Sequence, residues 1–530
     1  MSAQVNVTQD FIFGTMATDE LRLAAMAAEG RGVFHGNQIS PTDPEPDQPV
    51  EVLVSTGTDV AAETVTLFYT LNGEDPSPSS PRVDLVPGEV VWDTLLWGYR
   101  RTWRGMLPAQ PEGVHVRYRI AAQGTGGEPV WAEPDPSTGR PATFAYHVDR
   151  EHVPAWIRDA VIYHIFVDRF YPGEGRSWND ASTFNDFWGG TLRGIIEQLP
   201  YLEELGVTCL WLSPVFPSPS HHGYDATDYF HVEPRLGTDD DLRDLLALAH
   251  ARGMRVLLDY VANHVSNEHP AFRKATSDPT APERAWFTFG KWPEEYRSFF
   301  GVRSLPQIDN EHLAARRHII DGARYWLEQG ADGFRLDYAN GPTHGFWTQF
   351  RAETRAVEPE SFTVGEIVET AELQRSYQGR LDGVLDFLLL QQMRAFFAFD
   401  IGSPRTFDTF LRRHLEFFPA DFVLPSFLDN HDMNRFLWVV RGDTRRLRLA
   451  ALCQMTLPHP PIVYYGTEVG LSQRRDLQYP DGSRRMEESR TPMPWGDEQD
   501  AGLLAFYRRL IALRRAHGGL WRGRRVTLAA

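Results

Sequence analysis

The stretch GADGFRLDYANG, residues 330–341, sets an arginine and an aspartate two positions apart in a run that is otherwise typical of a β-strand. Side chains two apart on a strand share a face, so Arg335 and Asp337 project together. In one interpretation, the strand lies at a sheet edge and carries a solvated salt bridge that adds little stability. In the other, a guanidinium holds a carboxylate ionised inside a cleft. The rest of the chain decides between them.

Outward from this stretch, apolar strand-like runs alternate with amphipathic helical stretches, which predicts parallel β-α units. Eight such runs can be counted, and eight is the number of strands that closes a barrel. The α/β pattern therefore favours a (β/α)8 TIM barrel over an open doubly wound sheet. The predicted strands cover residues 161–168, 207–214, 255–261, 333–338, 362–367, 383–387, 422–430 and 461–468.

Changes of sequence texture predict the domain organisation. Residues 1–30 include a short helical pattern, and residues 31–150 carry short alternating runs between Gly, Pro, Asp and Ser clusters, which is typical of a β-sandwich. The barrel is assigned to residues 151–517. A gap after the third strand is far longer than an ordinary loop and predicts an inserted subdomain at about 265–311. Residues 518–530 are interpreted as a C-terminal tail.

Composition excludes several classes of function. The chain has 530 residues and a net charge of -18, which opposes binding to a phosphate backbone or an anionic membrane. No apolar run approaches the ~20 residues that span a bilayer. The only two cysteines, Cys209 and Cys453, lie in apolar segments and fit two buried thiols in a reducing compartment. We therefore expect a cytoplasmic protein with no nucleic-acid or membrane partner.

Polar residues gather where the predicted strands end. In a barrel of this kind, chemistry lies at the carboxyl ends of the strands, so these side chains are expected to meet at one mouth. Charges scattered over a solvated surface would occur at strand starts and on helices as well. The residues concerned are Asp259, Asn263, His264, Arg335, Asp337, Glu366, His431 and Asp432.

Three carboxylates with one arginine suit glycoside hydrolysis, in which one carboxyl attacks the anomeric carbon and another protonates the leaving oxygen. Arg335 is expected to lower the pKa of Asp337 and keep it an anionic nucleophile. Glu366 has no arginine beside it in sequence, so it can keep a raised pKa and act as general acid and then base. Asp432 would be the third partner, with His431 and His264 as donors to sugar hydroxyls.

These residues also carry a family resemblance. The segments DYVANH, GFRLDYA, VGEI and FLDNHD, in this order, resemble the four signature regions of the α-amylase superfamily, glycoside hydrolase family 13. The segment SPSHHGYDATDY, residues 218–229, is most similar to the branch of neopullulanases, cyclomaltodextrinases and maltogenic amylases. The resemblance covers residues 155–517, about two-thirds of the chain.

The resemblance implies a role for each matching residue. Asp337 would be the nucleophile, Glu366 the acid/base, Asp432 the transition-state stabiliser and Arg335 the residue that orients Asp337. It further implies that the attacked glucose lies in a pocket lined by a second group of residues: Tyr224, which would stack on the sugar, and Asp225, His264 and His431.

The resemblance implies two further features and shows one departure. The loop after the first strand is similar to the calcium loop of neopullulanases, with Asp168, Asn179 and Asp180 as oxygen donors, but it departs from that loop at Thr191 and carries a repelling Arg176, so a structural calcium is left open. The chemistry requires no cofactor. The N-terminal sandwich is similar to starch-binding-like or immunoglobulin-like modules. Relatives commonly carry a glutamate shortly after the nucleophile, where this chain has Gly341. Preference at the acceptor subsites is therefore expected to differ.

Together these features predict a retaining glycoside hydrolase that cleaves α-1,4-glucosidic bonds in malto-oligosaccharides, cyclodextrins, pullulan or starch, with transglycosylation as an added activity. One alternative is an exo-acting α-glucosidase or isomerase on short α-glucosides. Another is a non-catalytic amylase-like interaction subunit, which predicts missing carboxylates. The expected partner is an α-glucan oligosaccharide, and a homodimer is left open. Relatives end in a C-terminal β-sandwich, which we expect to be missing here, by absence or by truncation.

Overall fold

A computed structural model describes residues 19–124, 127–181, 183, 185–479, 481, 483–523 and 525–528. The first eighteen residues of the predicted N-terminal segment therefore lie outside the described residues. The part that is described begins with the helix Asp19–Glu29. Within the described part of the chain, no helix is both long enough and apolar enough to cross a membrane.

Two five-stranded antiparallel sheets follow the first helix. Val52 and Trp103 of one sheet share a hydrophobic cluster with Leu67 and Tyr118 of the other, so the sheets bury their apolar faces against a common core. The strands of the first sheet are Val33–Phe34, Ile39–Ser40, Val50–Thr56, Val86–Asp93 and Gly98–Leu107. Those of the second are Thr64–Thr70, Arg82–Asp84, His115–Gln123, Val130–Trp131 and Phe144–His147.

The larger part of the chain forms a curved parallel sheet wrapped by helices. Its neighbours follow chain order from the first strand to the sixth, and the last strand pairs with the first, so the sheet curls into a barrel. The strands are Ile162–Ile165, Cys209–Leu212, Arg255–Val261, Gly333–Asp337, Phe362–Gly365, Gly383–Val384 and Ile462–Tyr464. The predicted TIM-barrel arrangement is confirmed.

The seventh predicted strand, residues 422–430, is not a regular strand. Isolated bridges join it to its neighbours, Val423 to Gly383 on one side and Ser426 to Pro461 on the other, together with five backbone hydrogen bonds. Pro425 lies between them and has no backbone N–H to donate, which interrupts the ladder. The segment still occupies the seventh position of the barrel and closes it.

The helices outside the barrel begin and end at residues suited to those positions. Thr238 caps its helix and forms a capping box with Asp241. Gly206 ends the preceding helix at φ 93°, a conformation that glycine adopts at little cost. The barrel helices are Leu192–Leu205, Asp239–His250, Leu313–Glu328, His344–Val357, Ala371–Arg375, Phe387–Met393, Pro404–Phe417, Phe436–Val439, Thr444–Met455 and Ala501–Ala516.

Shorter helices occupy the loops. A π-helix, Arg394–Ala398, extends the helix after the sixth strand, and Gly518–Trp521 follows the last barrel helix. The 3₁₀ helices are Ala155–Asp159, Val167–Arg169, Pro282–Trp286, Phe299–Gly301, Thr467–Val469, Met486–Ser489 and Gly496–Glu498.

The long connection after the third barrel strand forms a small unit at the mouth. It contains the helix Pro270–Ser277 and then folds back through isolated bridges, including one between His264 and Gln307. The turn at residues 298–301 is thereby brought beside the third strand, where the ring of Phe299 stacks on His264 at 4.5 Å between centroids. This unit forms one wall of the site described next.

Candidate active site

The carboxyl ends of neighbouring barrel strands bring acidic side chains to one place. The third strand carries Asp259, the fourth carries Arg335 and Asp337, and Glu366 follows the fifth. Parallel register sets Asp259 directly beside Arg335. The fourth strand is paired on both sides, and the Arg335 side chain is fully buried. The edge-strand interpretation of residues 330–341 is therefore wrong, because Arg335 and Asp337 are buried together at the strand ends.

Arg335 is the centre of the cluster. Its Nη1 donates to Asp337 Oδ1 at 2.9 Å and to both carboxyl oxygens of Asp259 at 2.9 and 3.1 Å. Its Nη2 lies 2.8 Å from Glu366 Oε1. One guanidinium thus contacts three carboxyl groups, two on neighbouring strands and one directly after a third strand.

Asp432 faces this cluster from the segment that closes the barrel. Its Oδ2 lies 2.9 Å from His431 Nε2, and its Oδ1 accepts a hydrogen bond from Arg490 Nη2 at 2.8 Å. Arg490 also donates through Nε to the main-chain oxygen of His431 at 2.8 Å. No motif in the sequence marked Arg490, which lies almost sixty residues further along the chain. The arginine fixes both the carboxylate and the backbone beside it.

Tyr224 connects the two sides of the site. Its hydroxyl donates to Asp259 Oδ2 at 2.9 Å and lies 2.6 Å from His431 Nε2, and its ring is parallel to the His431 ring at 5.2 Å. Trp211 supports the same carboxylate from below through an indole N–H at 3.0 Å from Asp259 Oδ2. Tyr224 and His431 therefore lie where they were predicted, at the carboxyl cluster.

His264 and Asp225 are engaged by the protein itself. His264 Nε2 lies 3.1 Å from the main-chain oxygen of Tyr224, and its Nδ1 lies 3.1 Å from the Asn263 amide nitrogen. Burial lowers the pKa of His264 to about 3, so the ring is neutral. Asp225 accepts a hydrogen bond from Ser218 Oγ at 2.5 Å within its own loop. A substrate contact by either residue stays a prediction.

Burial dominates the pKa values of the two central carboxyls. It raises the pKa of Asp337 well above the usual range, and this outweighs the lowering by Arg335. Arg335 acts in the predicted direction, but the expectation of a net lowering is wrong, because burial, and after it the neighbouring carboxyls, raise the pKa of Asp337. Burial likewise raises the pKa of Glu366, as predicted. The two groups thus favour a state in which a proton is retained between them.

Asp432 has the opposite tendency. Burial alone would raise its pKa, but the neighbouring His431 and Arg490 hold the pKa of Asp432 far below its usual range. The cluster therefore separates into an ionised carboxylate on one side and a proton-holding pair on the other. Such a separation is the arrangement that acid–base chemistry requires.

Close packing explains why residue 341 is a glycine. A Cβ at this position would lie 2.1 Å from Asn263 Oδ1, which is much closer than real contacts allow. Asn263 Oδ1 in turn accepts a hydrogen bond from Gln307 of the inserted unit at 2.9 Å. A larger residue at position 341 would have to displace this contact between the barrel and the insert.

The residues predicted to hold calcium do not fit that ion. Asp168 Oδ2 accepts a hydrogen bond from Arg169 Nε at 2.8 Å, and backbone N–H groups of Trp188 and Gly189 donate to the same carboxyl at 3.0 Å. The Asn179 amide donates to the main-chain oxygen of Phe187. Among the described residues, no group of three or more His, Cys, Asp or Glu side chains is placed to hold a metal ion. A cationic guanidinium replaces the cation here.

Calcium is accordingly expected to leave thermal stability unchanged. A structural site occupied at a hundred times its Kd would add about 2.7 kcal/mol to the free energy of unfolding, and a chelator would remove it. Differential scanning calorimetry with EDTA and with millimolar CaCl₂ should give coincident transitions. A transition that rises with calcium, and falls again when Asp168 is replaced by asparagine, would contradict this assignment.

A closed β/α barrel whose strand ends collect paired carboxyls and an arginine defines the class of barrel glycoside hydrolases. Comparison of the sequence with protein families matches residues 164–517 to the α-amylase catalytic domain. The match covers well over half of the chain. The protein belongs to the α-amylase family, glycoside hydrolase family 13.

Individual relatives agree with this assignment. The chain is 41% identical over 379 residues to α-amylase 2 of Dictyoglomus thermophilum, covering 71% of this chain and 66% of that enzyme. It is 36% identical over 435 residues to neopullulanase 2 of Thermoactinomyces vulgaris, covering 77% of this chain and 72% of the relative. The matched region thus spans about two-thirds of the length of these relatives.

Solved structures give the same result. A cyclomaltodextrinase superposes with a TM-score of 0.66 at 27% identity, covering 92% of this chain and 85% of that one. The cyclic α-maltosyl-(1→6)-maltose hydrolase of Arthrobacter globiformis superposes with a TM-score of 0.66 at 31% identity, covering 71% of this chain and 88% of that one.

Proposed function

We propose that this protein is a retaining α-glucan hydrolase that cleaves α-1,4-glucosidic bonds in malto-oligosaccharides, cyclodextrins, pullulan or starch. The observation that carries the proposal is the contact of one buried guanidinium with Asp337 on one terminal nitrogen and Glu366 on the other. Retaining glycosidases hold two carboxyls ~5–5.5 Å apart, closer than inverting enzymes do. Relatives named neopullulanase and cyclomaltodextrinase support the substrate class.

The first chemical step uses the proton that the buried pair retains. Asp337 attacks the anomeric carbon, the bond from that carbon to the leaving oxygen breaks, and Glu366 gives its proton to that oxygen. Arg335 contacts both groups, so its charge stabilises the Asp337 anion that is present when the retained proton is on Glu366. The product is a covalent glycosyl-enzyme on Asp337 and a shortened glucan with a free hydroxyl.

The second step reverses these roles. Glu366, now ionised, removes a proton from water, the water oxygen bonds to the anomeric carbon, and the Asp337 carboxylate leaves. A sugar hydroxyl in place of water would give transglycosylation by the same chemistry. Asp432 is held ionised by Arg490 and can stabilise the positive charge that develops on the ring in both steps.

The sugar under attack would rest against Tyr224. Its ring is half-buried and parallel to that of His431, which leaves an aromatic surface beside the carboxyl cluster. His431 would share its Nε2 proton between Asp432 and a ring hydroxyl. His264 would support this pocket through its contact with the main-chain oxygen of Tyr224.

Net retention of configuration is the expected stereochemical result. Maltotriose digested in an NMR tube should release the α-anomer first, with the β-anomer appearing only at the rate of mutarotation, since double displacement inverts the anomeric carbon twice. Early β-anomer would contradict the nucleophilic role of Asp337. The same time course on maltoheptaose, β-cyclodextrin and pullulan separates endo-acting hydrolysis from the alternative of an exo-acting α-glucosidase or isomerase.

The proposal also covers the cellular location of the enzyme and its N-terminal module. Two free cysteines, one of them fully buried, support a cytoplasmic location, and a relative named intracellular maltogenic amylase agrees with it. The two N-terminal sheets with their shared core support a sandwich module preceding the barrel. Whether two copies associate would be measured by light scattering on the purified protein.

A further inference from the structure

The residue directly after Asp337 has a strained backbone. Tyr338 has a φ of 41°, in the left-handed region that bulky side chains rarely adopt. A conformation of this kind persists only where the surrounding structure imposes it, and it is most common at functional sites. Phe300, in the turn of the inserted unit, has a φ of 47° and is 55% exposed at the mouth.

The strained turn points backbone donors at Glu366. The Tyr338 N–H donates to Glu366 Oε2 at 3.1 Å. The next N–H, that of Ala339, donates to the main-chain oxygen of Glu366 at 3.0 Å. Two consecutive amides of one turn therefore hold both the side chain and the backbone of this glutamate. With φ in its usual negative range, the chain beyond the Tyr338 Cα would run in another direction, and the second of these bonds, from the Ala339 N–H, would be lost.

Aromatic packing from the insert holds the turn in this conformation. The Tyr338 ring meets the rings of Phe299 and Phe300 edge to face, at 4.8 and 5.4 Å between centroids. Gly341 lies against its other side, since a Cβ there would come within 2.9 Å of Tyr338 Cδ1. Each such aromatic pair adds stabilisation beyond the area that it buries. The clamp thus offsets the strain of the left-handed backbone.

We propose that Tyr338 is a positioning residue for the general acid, and that the Phe299–Phe300 turn of the inserted unit clamps its ring so that its backbone N–H stays on Glu366. The inference rests on the proposed function, because it takes Glu366 as the acid. The inserted unit then influences the pKa of Glu366 through Tyr338, without contacting Glu366 itself.

The direction of the pH effect follows from the charge of the acceptor. A backbone N–H stabilises the ionised carboxylate, so the bond from Tyr338 lowers the pKa of Glu366 against the rise that burial causes. Loss of the bond raises that pKa further and moves the basic limb of the pH–rate profile to higher pH. The charged and titratable groups that face Glu366 are Arg335, Asp337, Tyr338, Asp432 and His431.

Three substitutions at Tyr338 separate backbone positioning from a side-chain contact with sugar. Tyr338→Ala removes the clamped ring and is expected to lower kcat on maltotriose about 10- to 100-fold, a part of what general acid catalysis contributes. The basic limb of the pH–rate profile of this variant should move up by about one pH unit. Tyr338→Gly, which accepts a positive φ freely, should retain more of kcat than the alanine variant. Tyr338→Phe keeps the ring, so the basic limb of its pH–rate profile should lie at the wild-type position.

Further variants keep the test decisive if Tyr338→Ala does not fold. Phe300→Ala removes one ring of the clamp from an exposed position and should move the basic limb in the same direction by a smaller amount. Trp97→Ala is the matched control, since Trp97 has a φ of 55° and is 76% exposed but lies in the turn before Gly98–Leu107 of the first N-terminal sheet. Its pH profile and kcat should equal those of the wild type.

The outcomes that overturn the inference are specific. Equal losses in the alanine and glycine variants, with an unmoved basic limb, would mean that the ring contacts substrate and that the backbone does not position Glu366. A phenylalanine variant as impaired as alanine would assign the effect to the hydroxyl. Combining Tyr338→Ala with Glu366→Gln should add no further loss, because both act on one proton. If Glu366→Gln itself retained activity, the proposed function would fail instead.

Discussion

Replacing Asp337 by asparagine is expected to lower kcat on maltotriose by at least about 10⁴-fold, as the loss of a nucleophile does in other covalent mechanisms. The amide has nearly the volume of the carboxyl but cannot form the glycosyl-enzyme. Initial rates over a range of maltotriose concentrations would measure the loss. KM should change little, because the sugar contacts of Tyr224 and His431 remain.

The same variant should stay folded, with an unfolding temperature equal to or above that of the wild type. Arg335 keeps its contacts with Asp259 and Glu366, so no charge is left unpaired. Burial already disfavours the ionised form of Asp337, and a neutral amide removes that cost. If Asp337→Asn raises the unfolding temperature while it abolishes activity, the carboxyl of Asp337 is retained for catalysis and not for stability.

Asp332→Asn provides the matched control. Asp332 precedes the same strand at its other end, where it accepts hydrogen bonds from His250, Arg255 and the Val256 N–H at 2.7 to 2.8 Å. Loss of its charge should lower the free energy of unfolding by about 1–3 kcal/mol and leave kcat unchanged. If Asp337→Asn hydrolysed maltotriose at a rate near that of the wild type, the nucleophile would have been assigned to the wrong residue.

Replacing Glu366 by glutamine should slow the hydrolysis of substrates whose leaving group must be protonated much more than that of substrates whose leaving group need not be. On maltotriose the leaving alcohol must be protonated, so kcat is expected to fall ~10²- to 10⁴-fold. On α-glucosyl fluoride the leaving group needs little protonation, and the variant should still form the glycosyl-enzyme on Asp337. Added azide should then accelerate turnover and yield α-glucosyl azide, since it attacks without a general base.

Two comparisons make this result decisive. Glu468→Gln changes another fully buried glutamate, one bound by the hydroxyls of Tyr163 and Tyr201, and should leave both activities intact. Asp337→Asn should show no azide rescue on the fluoride. Equal losses of Glu366→Gln on both substrates, without any response to azide, would place the general acid on a different carboxyl.

The parts of the site that the sequence could predict are those fixed by strand geometry. Arg335 and Asp337 share a face because strand side chains alternate, and parallel register sets Asp259 beside them. The convergence of Glu366 and Asp432 followed from the rule that strand ends meet at one mouth. Each of these inferences needs only the order of residues along a strand.

What the sequence could not predict depends on contacts between distant segments. Arg490 reaches Asp432 from a loop, and Phe299 reaches His264 from the insert, with no periodic signal in either case. The direction of the net pKa shift of Asp337 was predicted wrongly, because the sequence shows the neighbouring Arg335 but neither the depth of burial nor the carboxyls of Glu366 and Asp259 nearby. The backbone N–H groups of Trp188 and Gly189 that donate to Asp168 likewise come from about twenty residues away.

The interrupted ladder at Pro425 gives the barrel a seam. The third and fourth strands are joined by a continuous ladder, whereas the segment that leads to Asp432 has one isolated bridge to each neighbour. Five backbone hydrogen bonds still fix it between those neighbours. The one donor that Pro425 lacks leaves the chain free of strand geometry beyond this point. The backbone can therefore turn so that His431 and Asp432, adjacent in sequence, both lie at the carboxyl cluster.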